Sequence, residues 1–190
     1  YNNLDNYLAT LSNAIVTPHP SYAQFDVTEN GERAQLNDSL LQIENEFYSP
    51  IRPKRVAQSG EAPIVALKRG GIEYIEIRCI DINPFLPLGI DAQTMRLIDV
   101  FLVDAILSES PLCDEDGQRR NQENLRRVVN EGRSPDLQLL TPEGEKPLQT
   151  VAQELFNSMS QTAEAMDAEA GSDLHQQAMT AASARIVDPE

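Results

Sequence analysis

Three polar side chains alternate along the run from residue 71 to residue 81, and their types suit metal and phosphate chemistry. The run reads GIEYIEIRCID. If it is a strand, its period of two sends Tyr74, Glu76 and Arg78 to one face and the apolar residues between them to the other. A carboxylate is a good Mg²⁺ ligand, and an arginine about 6.6 Å along the same face can reach the phosphate that such an ion bridges. The run therefore predicts a strand with a core face and a face available for chemistry.

The same alternation is also typical of a solvated strand. Antiparallel sheets often have one wet face, on which Glu and Arg pair across strands or meet water. Spacing alone favours this ordinary interpretation over a metal site. The alternation of Glu44 and Glu46 in the run LLQIENEFY is likewise more typical of a surface. Neither His19 nor His175 receives a role.

Charge is distributed unevenly along the chain. The formal net charge is −15, which argues against nucleic acid or an anionic membrane as the main partner. Residues 51–80 nevertheless contain six basic and three acidic residues. Such a locally positive window points to a small anionic ligand. Arg52, Lys54 and Arg55 are either an anion clamp or part of a solvated loop, and both interpretations stay open.

The common nucleotide and zinc signatures are absent from the sequence. It contains no G-x-x-x-x-G-K-[ST], no G-x-G-x-x-G and no H-E-x-x-H. The two cysteines have no spacing typical of a metal site or a disulfide framework, so we expect a soluble protein of the reducing cytoplasm. The most apolar segment is too short to span a membrane.

The first part of the chain must supply the elements that position these side chains. Apolar spacing predicts a helix over residues 2–16. The sequence then predicts a hairpin turning at Asn30-Gly31 and a strand over residues 40–48. Proline and glycine predict a loop over residues 49–63, before the strand that carries Glu76.

The second part of the chain is predicted to be helical. Asp91 can cap a helix over residues 92–108 that is apolar nearly all round and hence buried. A second helix is predicted over residues 121–132, with Leu125, Val128 and Val129 facing inward and Gly132 at its end. A further predicted helix has Pro147 in its first turn, and a last one runs over residues 173–184. The fold class is therefore α+β, with portions 1–110 and 111–190 in one domain.

Three stretches resemble a known enzyme family. They are LQIENEFYSPIRPKR at residues 41–55, SGEAPIVALKRGGIEYIEIRCIDINPF at residues 59–85, and EGR at residues 131–133. They are similar to the bacterial, gammaproteobacterial-type glutamate-cysteine ligase, also called gamma-glutamylcysteine synthetase. The resemblance is dense up to about residue 107 and weakens beyond it. It implies a piece of a curved antiparallel sheet, similar to that of glutamine synthetase, with packed helices.

The resemblance also implies a reaction and roles for individual residues. The reaction joins the γ-carboxylate of L-glutamate to the amine of L-cysteine through a γ-glutamyl phosphate, with ATP as a substrate and Mg²⁺ as cofactor, in the first step of glutathione biosynthesis. Glu76 matches the family's metal-ligating glutamate, Arg78 its catalytic arginine at the ATP phosphate, and Tyr48 the tyrosine that lines the cysteine pocket. Arg52 and Lys54 lie in a basic element near the nucleotide.

The resemblance places this chain in the later part of the family's enzyme. The chain does not begin with methionine. We therefore expect a missing N-terminal half that holds most metal ligands and glutamate contacts, and an isolated chain that is inactive. One alternative is a non-catalytic structural or interaction module that keeps the ligase fold, although intact Glu76 and Arg78 favour the enzyme. Paired-carboxylate glycosidase chemistry is a third possibility, against which the adjacent arginine and the basic loop favour a phosphate.

Overall fold

The computed structural model describes residues 2–25 and 31–187. The chain divides into two compact units, Tyr1–Asp81 and Ile82–Glu190, and each has its own core. Within the described residues the strands form two separate two-stranded antiparallel sheets among helices, so the α+β class is confirmed. The division into portions 1–110 and 111–190 stays a prediction.

The first unit combines helices with one strand pair. Its elements are α1 (Leu4–Ala14), α2 (Pro20–Ala23), a 3₁₀ turn (Glu44–Glu46), β1 (Ile51–Lys54), α3 (Pro63–Gly70) and β2 (Tyr74–Ile77). The predicted helix α1 is confirmed and begins where the Asn3 side chain accepts a hydrogen bond from the Asn6 amide at 2.7 Å. Its apolar face packs against Ile64 and Leu67 of α3. These contacts form the core of the unit.

Helix α3 begins at the last residue of the predicted loop. The loop predicted over residues 49–63 is wrong at both ends, because β1 forms at residue 51 and α3 begins at residue 63. The ends of α3 are capped from outside the helix. Glu44 Oε2 accepts a hydrogen bond from the Ile64 amide at 2.8 Å, and Arg55 Nη1 donates to the Gly70 carbonyl at 2.5 Å. An anion at the N-terminus and a cation at the C-terminus both complement the helix dipole.

The strand predicted over residues 40–48 is wrong. The Leu40 and Leu41 amides donate to carbonyls in and just beyond the last turn of α1, and the Gln42 amide donates to Glu46 Oε2 at 2.7 Å. The segment therefore folds back on itself, and a strand ladder is not available to it. Its apolar alternation reflects Leu41 and Phe47, which pack against the core.

The predicted hairpin at Asn30-Gly31 falls partly on residues 26–30, which lie outside the described residues. Of its flanks, Ala23 ends α2, and residues 31–37 contain bends without a strand. The two predicted strands are therefore wrong where the structure describes them.

The second unit is mainly helical. Its elements are α4 (Ala92–Leu107), α5 (Glu115–Glu131), β3 (Gln138–Thr141), β4 (Gly144–Pro147), α6 (Leu148–Ala170) and α7 (Leu174–Val187). The cap of α4 is confirmed, since Asp91 Oδ1 accepts a hydrogen bond from the Thr94 amide at 2.7 Å. Val100 of α4 packs with Met159, Ala163 and Met179 in the core.

Two predicted burial patterns in this unit are wrong. In α4 only Val100 and Asp104 are buried, and Ile106 at its end is 81% exposed, so the helix is not covered all round. Helix α5 does end at Gly132 as predicted. Its apolar residues, however, are exposed: Leu125, Val128 and Val129. Polar contacts, described next, are what hold α5 in place.

Side-chain hydrogen bonds connect helix α5 to the β3–β4 hairpin. The sequence analysis did not predict this hairpin. The Asn124 amide group donates to the Leu140 carbonyl at 2.9 Å and accepts from the Leu140 amide at 2.8 Å. Arg127 donates to the Gln138 carbonyl and to Glu145. Asn124 thus occupies the backbone groups of β3 that a further strand would use.

A buried carboxylate holds the corner between α6 and α7. Asp167 accepts hydrogen bonds from the Ser172 hydroxyl and from the His175 and Gln176 amides, and it contacts the His175 ring. Burial raises its pKa, but these donors outweigh that effect and hold the pKa well below the usual range for aspartate. Both predicted helices are confirmed on either side of this corner.

Candidate functional site

The antiparallel pairing of β1 and β2 brings the predicted polar residues together. In its register Arg52 is opposite Glu76, and Lys54 is opposite Tyr74. The strand that the sequence predicted around Glu76 is confirmed over Tyr74–Ile77. Directly opposite residues of an antiparallel pair share a face. All four side chains are therefore on one face of the sheet.

Glu76 lies between two cations. Arg78 Nη2 donates to Glu76 Oε1 at 2.8 Å, and Lys54 Nζ lies 3.5 Å from Glu76 Oε2. The hydrogen bond from Arg78 is the largest influence and lowers the pKa of Glu76. Desolvation opposes it, and Lys54 lowers the pKa further. Glu76 in turn raises the pKa of Arg78. At neutral pH this is a fixed row of one anion and two cations.

One oxygen of Glu76 has an ion-pair partner, Lys54, but no hydrogen bond. Glu76 Oε2 is buried and accepts no hydrogen bond from the described residues. Its chemistry suits a hard cation, which prefers carboxylate oxygens. No group of three potential metal ligands exists among residues 2–25 and 31–187, however. The described residues therefore do not form a Mg²⁺ site by themselves, and Glu76 fits as one ligand only.

Tyr48 extends the row at the Arg78 end. The guanidinium carbon of Arg78 lies 5.7 Å from the centre of the Tyr48 ring, within cation–π range. Tyr48 itself is 66% exposed. The row of Tyr48, Arg78, Glu76 and Lys54, here called the polar row, thus has an aromatic end open to a ligand.

Arg52 is separated from the polar row. It is 6% exposed, and its guanidinium carbon lies 6.0 Å from the centre of the Phe47 ring. It also hydrogen-bonds the Tyr7 hydroxyl, whose pKa burial raises while Arg52 opposes the shift. The sequence analysis placed Arg52 and Lys54 together, whereas the structure gives them different surroundings. It assigned Tyr7 only to helical spacing, and nothing in that spacing indicated a partner on β1.

The predicted assignment of the two strand faces is wrong. The polar face lies over α1 and α3, because a cavity is lined by Arg52, Lys54 and Tyr74 together with residues of both helices. On the opposite face Ile51 and Ile75 are 42% and 41% exposed, and Cys79 is exposed as well. Alternation fixes which residues share a face but not which face is covered. Here the helices supply polar partners such as Tyr7 and cover the polar face at Arg52, which is 6% exposed, whereas Tyr74 on the same face is 49% exposed.

No helix in the described part of the chain is long and apolar enough to cross a membrane. Both cysteines are free thiols.

Comparisons with known proteins agree on one family. The family model of glutamate-cysteine ligase matches residues 1–128. Proteins named glutamate–cysteine ligase are 46% identical over 190 residues in Shewanella oneidensis and 45% identical over 188 residues in Janthinobacterium sp.. These alignments cover 100% and 99% of this chain but 36% of each relative, so the chain spans about a third of their length.

A solved structure agrees with the sequence comparisons. The crystal structure of glutamate–cysteine ligase from Francisella tularensis in complex with AMP matches with a TM-score of 0.88 and 32% identity. The match covers 99% of this chain and 37% of that protein. The resemblance carried by the three sequence stretches is thereby confirmed.

Proposed function

The chain belongs to the glutamate-cysteine ligase family, and we propose that its polar row forms one wall of the site at which that enzyme transfers phosphate. The proposed reaction joins the γ-carboxylate of glutamate to the amine of cysteine at the expense of ATP. The observation that carries this proposal is the row itself, in which two cations lie beside an anion whose Oε2 accepts no hydrogen bond from the described residues. The AMP in the related crystal structure supports a nucleotide as one ligand.

In the first proposed step, a γ-carboxylate oxygen of glutamate attacks the γ-phosphorus of ATP, and the bond to ADP breaks. Negative charge spreads over the transferring group, and fixed cations stabilise it. Arg78 is proposed to donate to these oxygens, since its fork matches phosphate geometry. Lys54 is proposed to supply a second charge. Glu76 is proposed to hold both cations in place. Its Oε2 would be one ligand of a Mg²⁺, whose charge would neutralise the phosphate further.

In the second proposed step, the amine of cysteine attacks the acyl carbon, phosphate leaves, and the amine gives up a proton to the departing phosphate or to water as the amide forms. Tyr48 is proposed to contact cysteine, because its exposed ring lies beside Arg78, the residue proposed to bind the phosphate. The remaining metal ligands and the glutamate contacts are proposed to lie in the two-thirds of the enzyme that this chain does not span. In this proposal the enzyme is cytoplasmic, and the isolated chain binds nucleotide weakly and produces no γ-glutamylcysteine.

The test uses the full-length enzyme that contains this segment. Substitution Arg78→Lys keeps the charge but removes the fork, and it should lower kcat for γ-glutamylcysteine formation by roughly 10²-fold. Substitution Arg126→Lys, at an exposed arginine whose ion pair within the described residues is with Glu123, is the matched control and should leave kcat unchanged. Equal rates for both variants would show that the polar row is a solvated surface.

A second candidate function is a non-catalytic module that keeps the ligase fold. One observation favours it: the described residues contain no complete group of metal ligands. The two candidates differ in a simple measurement. Normal turnover by a full-length enzyme whose Glu76 is replaced by Gln would favour the module, whereas turnover that depends on Glu76 would favour the ligase site.

A further inference from the structure

Glu73 connects the start of β2 to the end of β1 with two hydrogen bonds. It directly precedes Tyr74, the first residue of β2, and Lys54 is the last residue of β1. The Glu73 amide donates to the Lys54 carbonyl at 2.9 Å, and Glu73 Oε2 accepts from the Val56 amide at 3.1 Å. The backbone and the side chain of one residue therefore hold β1 at its end and just beyond it.

Arg55, which lies between these two bonds, is attached to the end of α3. Its Nη1 donates to the Gly70 carbonyl at 2.5 Å and to the Gly71 carbonyl at 3.3 Å. Its guanidinium packs directly on Gly70, where a side-chain carbon would overlap it. Residues 54–56 are therefore held at three consecutive positions, by the two bonds to Glu73 and by the side chain of Arg55.

The position of this strand end matters because Lys54 belongs to the polar row. Lys54 Nζ lies 3.5 Å from Glu76 Oε2 at the end of a flexible four-carbon stem. A strand of four residues has few ladder bonds, and its ends are the parts that fray most readily. The ammonium group therefore stays beside Glu76 only if the backbone at Lys54 is held by bonds outside the regular ladder.

We infer that Glu73 is a positioning residue, whose carboxylate fixes the end of β1 and so holds Lys54 beside Glu76. Its Oε2 is engaged with the Val56 amide, so no ligand is assigned to it. The carboxylate acts here as a hydrogen-bond acceptor and not as a charge, so a neutral acceptor of the same shape should serve as well. The consequence for phosphate transfer rests on the proposed function, whereas the fixing of β1 does not.

Two pairs of opposite residues report the position of β1 against β2. Pro53 is opposite Ile75, and Ile51 is opposite Ile77. Proline has no amide hydrogen, so Pro53 and Ile75 form a non-hydrogen-bonded pair, and Ile51 and Ile77, two residues along, form another. The α-carbons of such pairs approach closely, so their α-protons give a nuclear Overhauser contact. Pro53 and Ile75 are the near pair, beside Glu73, and Ile51 and Ile77 are the far pair.

The first test measures these contacts by nuclear magnetic resonance in the isotope-labelled 190-residue chain. Substitution Glu73→Ala removes the acceptor for the Val56 amide, and it should weaken the contact of the near pair roughly twofold or more while the far pair keeps its contact. Substitution Glu73→Gln keeps an acceptor oxygen and should leave both contacts unchanged. An unchanged near pair in Glu73→Ala would overturn the inference. Equal loss of both contacts would also contradict it, because it would show a general structural role.

The second test measures turnover in the full-length enzyme that contains this segment. Glu73→Ala should lower kcat for γ-glutamylcysteine formation roughly tenfold, since small misplacements of a charge beside the reacting groups are costly. Glu73→Gln should restore most of this loss. Glu169→Ala, at an exposed glutamate of α6, is the control and should leave kcat unchanged. Equal losses in Glu73→Ala and Glu73→Gln would mean that the charge of Glu73, and not its hydrogen bond, is required.

A double substitution shows whether Glu73 acts through Lys54. Once Lys54→Met has removed the ammonium group, Glu73→Ala should cause no further loss of kcat, because the two residues belong to one pathway. A further loss as large as that of Glu73→Ala alone would overturn the inference. An unchanged kcat in Lys54→Met by itself would count against the proposed function instead, and the contacts of the near pair would then decide the inference.

Discussion

Glu123 shows how strongly two arginines can hold a single carboxylate on the surface of this protein. Arg126 Nη2 lies 2.7 Å and Arg127 Nε lies 3.0 Å from Glu123 Oε1. The hydrogen bonds from Arg126 and then Arg127 lower the pKa of Glu123 to about 2. Because this pKa is lowered in the folded state, the carboxylate stabilises the fold above the ordinary glutamate pKa of about 4.3, and the contribution is lost as pH falls toward 2.

Replacing Glu123 by Gln should therefore flatten the acid dependence of stability. We expect the urea midpoint of the original chain to fall more steeply between about pH 4.3 and pH 2 than that of the variant. The measurement is urea unfolding at a series of pH values across this window. Substitution Glu169→Gln, at an exposed glutamate without an ion pair among the described residues, serves as the control. Identical acid dependence in all three proteins would contradict the prediction.

At the scale of elements, the hydrogen-bonded contact between α5 and β3 depends on one side-chain amide. Asn124 serves both backbone groups of Leu140, and the apolar residues of α5 contribute little because they are exposed. Substitution Asn124→Ala leaves a donor and an acceptor of β3 without partners. The expected loss of stability is about 1–3 kcal/mol. Thermal unfolding of the variant measures it.

The comparison for this prediction is Asn130→Ala. Among the residues that the structure describes, the Asn130 side chain donates within α5, to the Arg126 carbonyl. Its replacement should change stability by less than about 0.5 kcal/mol, as for most surface substitutions. Similar losses of stability at both positions would mean that general helix propensity, and not the Asn124–Leu140 hydrogen bonds, determines the loss.

The elements that could be predicted from the sequence are those fixed by local chemistry. Asp91 caps α4, Gly132 ends α5, and the alternation around Glu76 marks β2, and each signal lies within a few residues of the structure it produces. The strand at residues 40–48 could not be excluded in this way. The Leu40 and Leu41 amides donate to carbonyls at the end of α1 and just beyond it, far along the chain. The Gln42 amide donates to the Glu46 side chain.

The candidate site could be predicted in part for the same reason. Glu76 and Arg78 are two residues apart, so their common face followed from the strand period, and the structure adds Lys54 and Tyr48 to the row. Arg52 differs from Lys54 through tertiary contacts alone. No local pattern indicates that Phe47 and Tyr7 bury one of these cations while the other stays half-buried beside Glu76.

At the scale of the whole molecule, the two compact units have separate cores. Leu67 belongs to the core of the first unit and Met159 to that of the second. Truncation of either residue to alanine removes buried apolar contacts and should cost about 2–5 kcal/mol. We expect each substitution to destabilise mainly its own unit.

Hydrogen exchange followed by mass spectrometry tests this expectation. Leu67→Ala should accelerate exchange in α1 and α3, and Met159→Ala should accelerate it in α4, α6 and α7. Each variant is the control for the other. Faster exchange throughout the chain in both variants would show that the units unfold together.

The external caps of α3 give some residues of the sequence motif a role in assembly. An eight-residue helix is too short to persist alone, so α3 depends on tertiary contacts. These contacts include its packing on α1 and the caps from Glu44 and Arg55, which are 20 and 15 residues from their partners. The stretch LQIENEFYSPIRPKR thus contains both residues of the polar row, Tyr48 and Lys54, and residues that cap α3, Glu44 and Arg55. We expect activity lost through Glu44→Ala or Arg55→Ala in the full-length enzyme to be restored by an osmolyte, which favours compact states. Activity lost through Arg78→Lys should not recover with the osmolyte. Activity assays with and without trimethylamine N-oxide therefore distinguish variants with a folding defect from variants with a catalytic defect.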